Sequence, residues 1–209
     1  RVVVVFPGDS IQKAIDKVSA DGGGKVILRK GTHKPLANVD IAANIIFEGE
    51  GVGNTVIDFE GNARGIRLIG TASAIKQNNI FRDFTLQNSN NAAGIDIDYA
   101  DIWSIEDVRV TSCDQAGIRI DRSQSFKIIN VTSDNNTSDG FLIQTTSTRD
   151  TSNFILLNLI SNNNGGIGVS LTKPIGAGFL IRDFSVVGCT SKSNTGDGFN
   201  ISSTTTAYS

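Results

Sequence analysis

Two short apolar patterns alternate along the chain in a fixed order. One opens on glycine: Gly65-Ile-Arg-Leu, Gly94-Ile-Asp-Ile, Gly117-Ile-Arg-Ile, Gly140-Phe-Leu-Ile and Gly198-Phe-Asn-Ile, with a weaker member near Gly166. The other opens on or near an aromatic residue: NIFRDFTL from Asn79, WSIEDVRV from Trp103, FKIINVTS from Phe126, FILLNLIS from Phe154 and FLIRDFSV from Phe179. Both step by 23 residues in the middle of the chain and by a few more elsewhere. Each is short, β-branched and alternating, which predicts strands of about three to five residues.

Asp or Asn recurs inside the second pattern, at Asp83, Asp107, Asn130, Asn158 and Asp183, and an apolar residue follows each. A fixed polar residue between two apolar strands predicts a bend of unusual φ, which Asn and Asp tolerate. A polar stretch such as SDNNTSD or SKSNTGD comes next, and glycine restarts the cycle. Strand, bend, strand, polar turn, glycine, strand makes one coil of a parallel β-helix. Coils stack at about 4.8 Å, and one coil cannot bury its own apolar face, so stacking is obligatory. The chain is expected to form a single β-helix domain over residues 1–209, with about seven or eight coils.

The first residues break the pattern. In PGDSIQKAIDKVSADGGG, Asp9 is a candidate N-cap with Gln12 three residues on. Ile11, Ala14, Ile15 and Val18 share one helical face, and Gly22 to Gly24 end the helix. Residues 1–24 are thus expected to give a strand and a helix that covers the open end of the core, with coils over 25–209. At the other end GFNISSTTTAYS shows neither helix nor cap, which invites self-association through that end. Cys113 and Cys189 each lie three residues after a valine, Val110 and Val186. This places both thiols in one column, three coils and about 14 Å apart, too far to bond.

Composition narrows the function classes. The formal net charge is −2 and hydrophobic content 39%, without the basic excess that nucleic acid calls for. No apolar run approaches the roughly 20 residues of a membrane helix. RVVVVFPGDS is too short for a signal-peptide core, so either a leader has been removed or the chain is cytosolic. Glycine, at 22, outnumbers proline, at 3, so the turns are made by φ-permissive residues. Sequons occur at Asn130, Asn135, Asn136 and Asn200.

PGDSIQKAIDKV, GGGKVILRKGTHK and IIFEGEGVGNTVIDFEGN together resemble the N-terminal region of the pectate-lyase-like superfamily of right-handed parallel β-helices. That superfamily includes pectate and alginate lyases, alginate C5-epimerases, polygalacturonases and phage tailspikes. The resemblance implies a right-handed, all-β solenoid, a polysaccharide partner and an extracellular, cell-surface or virion location. It transfers no catalytic residues, because neither the Asp-Pro-His-Glu of the epimerases nor the polygalacturonase set Asn-Thr-Asp, Gly-His-Gly and Arg-Ile-Lys occurs.

Aligned on the glycines, outward positions bring Asp96, Asp98, Arg119 and Asp121 together on neighbouring coils. Arg67, Tyr99, Asp101 and Arg122 lie at the rim, and Gln144 follows Asp121. Uronate lyases and epimerases need a cation for the sugar carboxylate and a base for the C5 proton. Arg119 suits the first role; Tyr99 or an arginine of the patch suits the second. Asp96, Asp98, Tyr99, Arg119 and Asp121 are therefore the candidate catalytic set, with Arg67, Asp101, Arg122 and Gln144 as substrate contacts. Clustered aspartates also suit Ca²⁺. The same residues serve equally as a solvated ion-pair ladder. A non-catalytic structural or adhesive β-helix, as in a filament, fibre or surface layer, is then the alternative. His33, the only histidine, lies in an opening strand away from the patch, and Trp103 shares its position with core phenylalanines.

Overall fold

The computed structural model describes residues 1–146, 148–173 and 178–203. The glycine-led pattern forms a seven-stranded parallel sheet of Val39–Asp40, Ile66–Ile69, Ile95–Asp98, Ile118–Asp121, Phe141–Gln144, Val169–Lys173 and Phe199–Ser203. We call this the glycine line. The aromatic-led pattern forms a second sheet through Ile45–Glu48, Lys76–Gln87, Ala100–Thr111, Gln124–Ile129, Thr151–Leu157 and Ile181–Val187. Past the bend this aromatic line continues as shorter strands, Thr132–Asp134, Ile160–Asn162 and Thr190–Lys192. Every strand pairing is parallel and joins equivalent positions of successive coils. The result is a solenoid of about seven turns.

Four of the five bends fall where expected: Asp83, Asp107, Asn130 and Asn158 have φ between 52° and 63°. In the last coil Gly188, at φ 64°, takes that place, and Asp183 stands opposite Asn153 instead, because Phe184 and not Phe179 pairs with Phe154. At that φ an ordinary side chain is strained, and Asn and Asp less so. Inward side chains stack in columns. Ile97, Ile120, Ile143 and Leu171 form one, at 0 to 2% exposure. Trp103, Phe126, Phe154 and Phe184 form another, with near-parallel rings 4.4, 4.6 and 5.1 Å apart. Trp103 is a core residue, as its repeat position indicated.

The helix Ile11–Ser19 buries Ile11, Ala14, Ile15 and Val18 against the first coil. Its N-cap is Ser10, whose hydroxyl accepts from Lys13 N–H, and not Asp9. Asp9 instead receives Phe6 N–H at 2.9 Å. His33 is buried at 1% exposure in the same region, its Nε2 hydrogen-bonded to the Arg29 carbonyl.

Both cysteines are free, but they occupy different columns. Val110 pairs with Ser133, past the bend, whereas Val186 pairs with Leu156, before it. Equal spacing from a valine therefore misplaced the register. Cys113 takes the place that Asn136, Asn164 and Asn194 hold in later coils, where buried amides form a ladder. Asn164 Oδ1 accepts Asn136 N–H at 3.0 Å, Asn194 Oδ1 accepts Asn164 N–H at 2.9 Å, and Asn136 Oδ1 accepts Cys113 N–H at 3.0 Å. Ser133 and Ser161 flank the ladder and explain the glycines. A Cβ on Gly117 or Gly140 would sit 1.9 or 2.0 Å from a serine Oγ. The sequon residue Asn136 belongs to this ladder, which excludes a glycan there in the folded chain. The tail 204–209, with Tyr208 and the end of the uncapped segment, lies outside the described residues.

Candidate functional site

The glycine line turns alternate residues outward, and the first outward column reads Asp40, Arg67, Asp96, Arg119, Leu142, Ser170 and Asn200. Its charges alternate over four coils, so each arginine reaches back to the preceding aspartate. Arg119 closes a fork on Asp96, Nε to Oδ1 at 2.8 Å and Nη2 to Oδ2 at 2.9 Å. Arg67 Nε lies 2.8 Å from Asp40 Oδ1, off the axis of a linear hydrogen bond. The second column reads Asp98, Asp121, Gln144 and Thr172.

These second-column aspartates are outward in register yet covered, at 8% and 2% exposure. The turns that follow each strand supply the cover. Tyr99 and Arg122, at φ 49° and 46°, occupy equivalent turn positions. Arg122 folds back so that its guanidinium forks onto Asp98, with Nε to Oδ1 at 2.9 Å, and stacks 4.4 Å above the Tyr99 ring. Its Nη2 is 3.7 Å from Asp121. Burial, with the neighbouring Asp121 charge adding to it, holds the Asp98 carboxyl above its ordinary range; Arg122 opposes this without cancelling it.

Beyond Gln144, Thr146, Thr148 and Arg149 close over the second column. Asp121 accepts Thr146 N–H at 3.0 Å, Thr146 Oγ1 at 2.7 Å and Gln144 Nε2 at 3.2 Å. Arg149 reaches both oxygens of Asp101 at 2.7 and 2.6 Å, and its Nη1 donates to the Arg122 carbonyl. The Tyr99 hydroxyl bonds to Thr148. Sequence reasoning missed Thr146, Thr148 and Arg149 because they stand outside the repeat. The available signal was the step itself, which grows from 23 residues between Asp107 and Asn130 to 28 between Asn130 and Asn158.

The structure thus brings Asp96, Asp98, Tyr99, Arg119 and Asp121 onto adjacent coils, with Arg122 on Asp98, Gln144 on Asp121, Asp101 joined only through Arg149, and Arg67 one coil back. The carboxylates point at Arg119, Arg122 and the Thr146–Gln144 pair and do not converge. Among the described residues no three carboxylate, imidazole or thiol groups gather as cation ligands. Arg119 spends Nε and Nη2 on Asp96, and no described residue takes its Nη1. With its side chain 37% exposed, that edge faces solvent.

Among the described residues no helix is long and apolar enough to cross a membrane. No curated protein matches the chain. Solved structures do. The A-module of mannuronan C-5 epimerase AlgE4 from Azotobacter vinelandii superposes with a TM-score of 0.75 at 21% identity, over 90% of this chain and 54% of that one. The chain spans about half the length of that module. An iota-carrageenase complexed to iota-carrageenan fragments gives 0.64 at 18% identity, over 87% of this chain and 45% of that one. ORF18 of Geobacillus virus E2 gives 0.58 at 14% identity, over 94% and 62%. At these identities the likeness establishes the fold. Residues 37–209 match the family model for the right handed beta helix region, and the chain belongs to that family.

Proposed function

We propose that this chain is the β-helix of an extracellular, cell-surface or virion protein that holds an acidic polysaccharide along the outer face of the glycine line. The observation that carries the reading is the open Nη1 edge of Arg119, presented beside Asp98, a carboxyl that burial makes readier to hold a proton. A uronate carboxylate docks on that edge without displacing Asp96. Arg67, Asp101, Arg122 and Gln144 flank the bound chain. In the catalytic form of the proposal, Tyr99 acts as its phenolate, takes the C5 proton and becomes the neutral phenol. Asp98 then returns one, either to the opposite face of C5, which is epimerisation, or to the departing O4, which is β-elimination. The names of the solved relatives, a mannuronan epimerase and a carrageenase, support the polymer class, and the viral relative supports the location.

One observation favours a second reading. Asp96, Asp98, Asp101 and Asp121 each already accept a hydrogen bond from a neighbouring residue. A ladder so complete suits a non-catalytic structural or adhesive subunit that associates end to end. Incubation with a panel of uronate polymers, with and without Ca²⁺, separates the two. Unsaturated ends are followed by ultraviolet absorbance and C5 inversion by proton NMR. Product that disappears in Arg119→Gln is expected. Silence across the panel, together with head-to-tail assembly in solution, decides for the structural subunit.

A further inference from the structure

The outer face of the aromatic line holds a feature that the Asp–Arg patch does not use. Asn44, Asn78, Ile102, Ser125 and Asn153 occupy equivalent positions, all with φ between 54° and 61°. Four of the five are Asn or Ser, and they bond up the column. Asn78 Nδ2 donates to Asn44 Oδ1 at 2.9 Å and Asn153 Nδ2 to Ser125 Oγ at 3.0 Å. Ile102 interrupts this ladder. It is β-branched in the left-handed region, where such residues are outliers, and it is 55% exposed. Two unfavourable features on one side chain, in a column that otherwise avoids both, point to a role outside folding.

The interruption also leaves polar groups free. Asn78 Oδ1 receives no donor and the Ser125 hydroxyl finds no acceptor among the described residues. Beside this column Ile46 and Ile80 stand outward, followed two coils on by Lys127, whose ammonium pairs with no described carboxylate. Together they line an open groove of about 530 Å³ that runs across the coils. Over three successive coils, about 4.8 Å apart, it presents an acceptor, an aliphatic surface and a donor; Lys127 stands beside the donor on the same coil, and the Glu106 carboxylate also lines this end.

We infer that this groove is a second carbohydrate-contact surface, which takes a run of pyranose units bearing anionic groups. Ile46, Ile80 and Ile102 lie under the C–H faces of the sugars, Asn78, Ser125 and the Glu106 carboxylate bond ring hydroxyls, and Lys127 meets a carboxylate or sulfate. The occupant's class follows from this pattern and from Lys127, not from the glycine-line patch, so the two surfaces stand or fall separately.

Ile102→Asn is the informative variant, because it restores the amide rung with a residue that tolerates the left-handed conformation. It is expected to melt above the wild type while binding an oligouronate about tenfold more weakly, the loss of one aliphatic contact. Lys127→Gln is expected to weaken binding and to flatten its dependence on salt. Calorimetric titration of the full chain reads both, with circular dichroism to confirm folding and Ile102→Ser in reserve. Unchanged binding in Ile102→Asn and Lys127→Gln, with loss in Arg119→Gln, overturns the groove and leaves the proposed function standing. Failure of the wild type to bind the oligouronate also overturns it. Loss confined to Ile102→Asn and Lys127→Gln supports the groove and counts against the patch.

Discussion

Asn164 gives the sharpest test of what holds the coils in register. It is 1% exposed and its side chain makes five contacts. Oδ1 accepts from Asn136 N–H at 3.0 Å and Asn136 Nδ2 at 2.9 Å; Nδ2 donates to Ser161 Oγ at 3.0 Å, Ser133 O at 3.1 Å and Asn194 Oδ1 at 2.9 Å. In Asn164→Ala the buried Asn136 N–H is left without an acceptor, which costs about 1–3 kcal/mol. The vacated amide volume adds to this, so a total of about 3 kcal/mol is expected. For a chain of this size that lowers the melting temperature by about 9 °C. Asn130→Ala is the control. Asn130 is exposed at φ 55°, and its amide bonds only the neighbouring bend residues, donating to Asp107 at 3.1 Å and accepting from Asn158 at 3.2 Å. Placing alanine in that conformation costs about 1–2 kcal/mol. Urea unfolding followed by tryptophan fluorescence gives both midpoints, compared at constant slope. A loss in Asn164→Ala no larger than in Asn130→Ala would falsify the claim that the buried amides, rather than the bends, fix the register.

Two further outcomes follow from charge and burial. Burial pushes the Glu48 carboxyl up, but hydrogen bonds from Lys25 and Arg82 outweigh it and hold the group below its ordinary value. Its contribution is therefore complete above the unfolded carboxylate pKa and disappears as pH falls through the lower folded value. Glu48→Gln should unfold more easily than wild type at neutral pH, the difference closing in acid; a gap that persists there would exclude the linkage. The second concerns the thiols. Burial raises the Cys113 thiol and leaves it 0% exposed, while Cys189 is partly exposed. A disulfide reagent should modify Cys189 in the native protein and Cys113 only after unfolding, and equal rates would contradict the assigned columns.

The bends at Asp83, Asp107, Asn130 and Asn158 were legible because these are the residue types that a left-handed φ selects, whereas the last coil bends at Gly188 and its Asp183 misled by the same local pattern. Ile102, Tyr99 and Arg122 adopt the same region without that propensity, since the neighbouring coils impose it, and no composition rule marks them. The charged columns followed from period-two alternation. Their pairings did not, because Arg149 meets Asp101 across 48 residues through a turn that breaks the repeat. The buried amides at Asn136 and Asn164 looked like turn residues; a short polar run does not reveal which amide points into the core. The cysteine register failed for a related reason. Val110 and Val186 have the same local spacing but lie on opposite sides of a bend.

The chain has a single tryptophan, and Trp103 lies at one end of a stack with Phe126, Phe154 and Phe184 whose spacing is set by the separation of the coils. Any axial stretch, tilt or local melting between those coils must slide the indole off its neighbour before water can reach it. The protein therefore carries its own optical strain gauge. Emission from one unlabelled residue reports the gap between two adjacent turns, and a change under load or on ligand binding can be assigned to that interval of the solenoid.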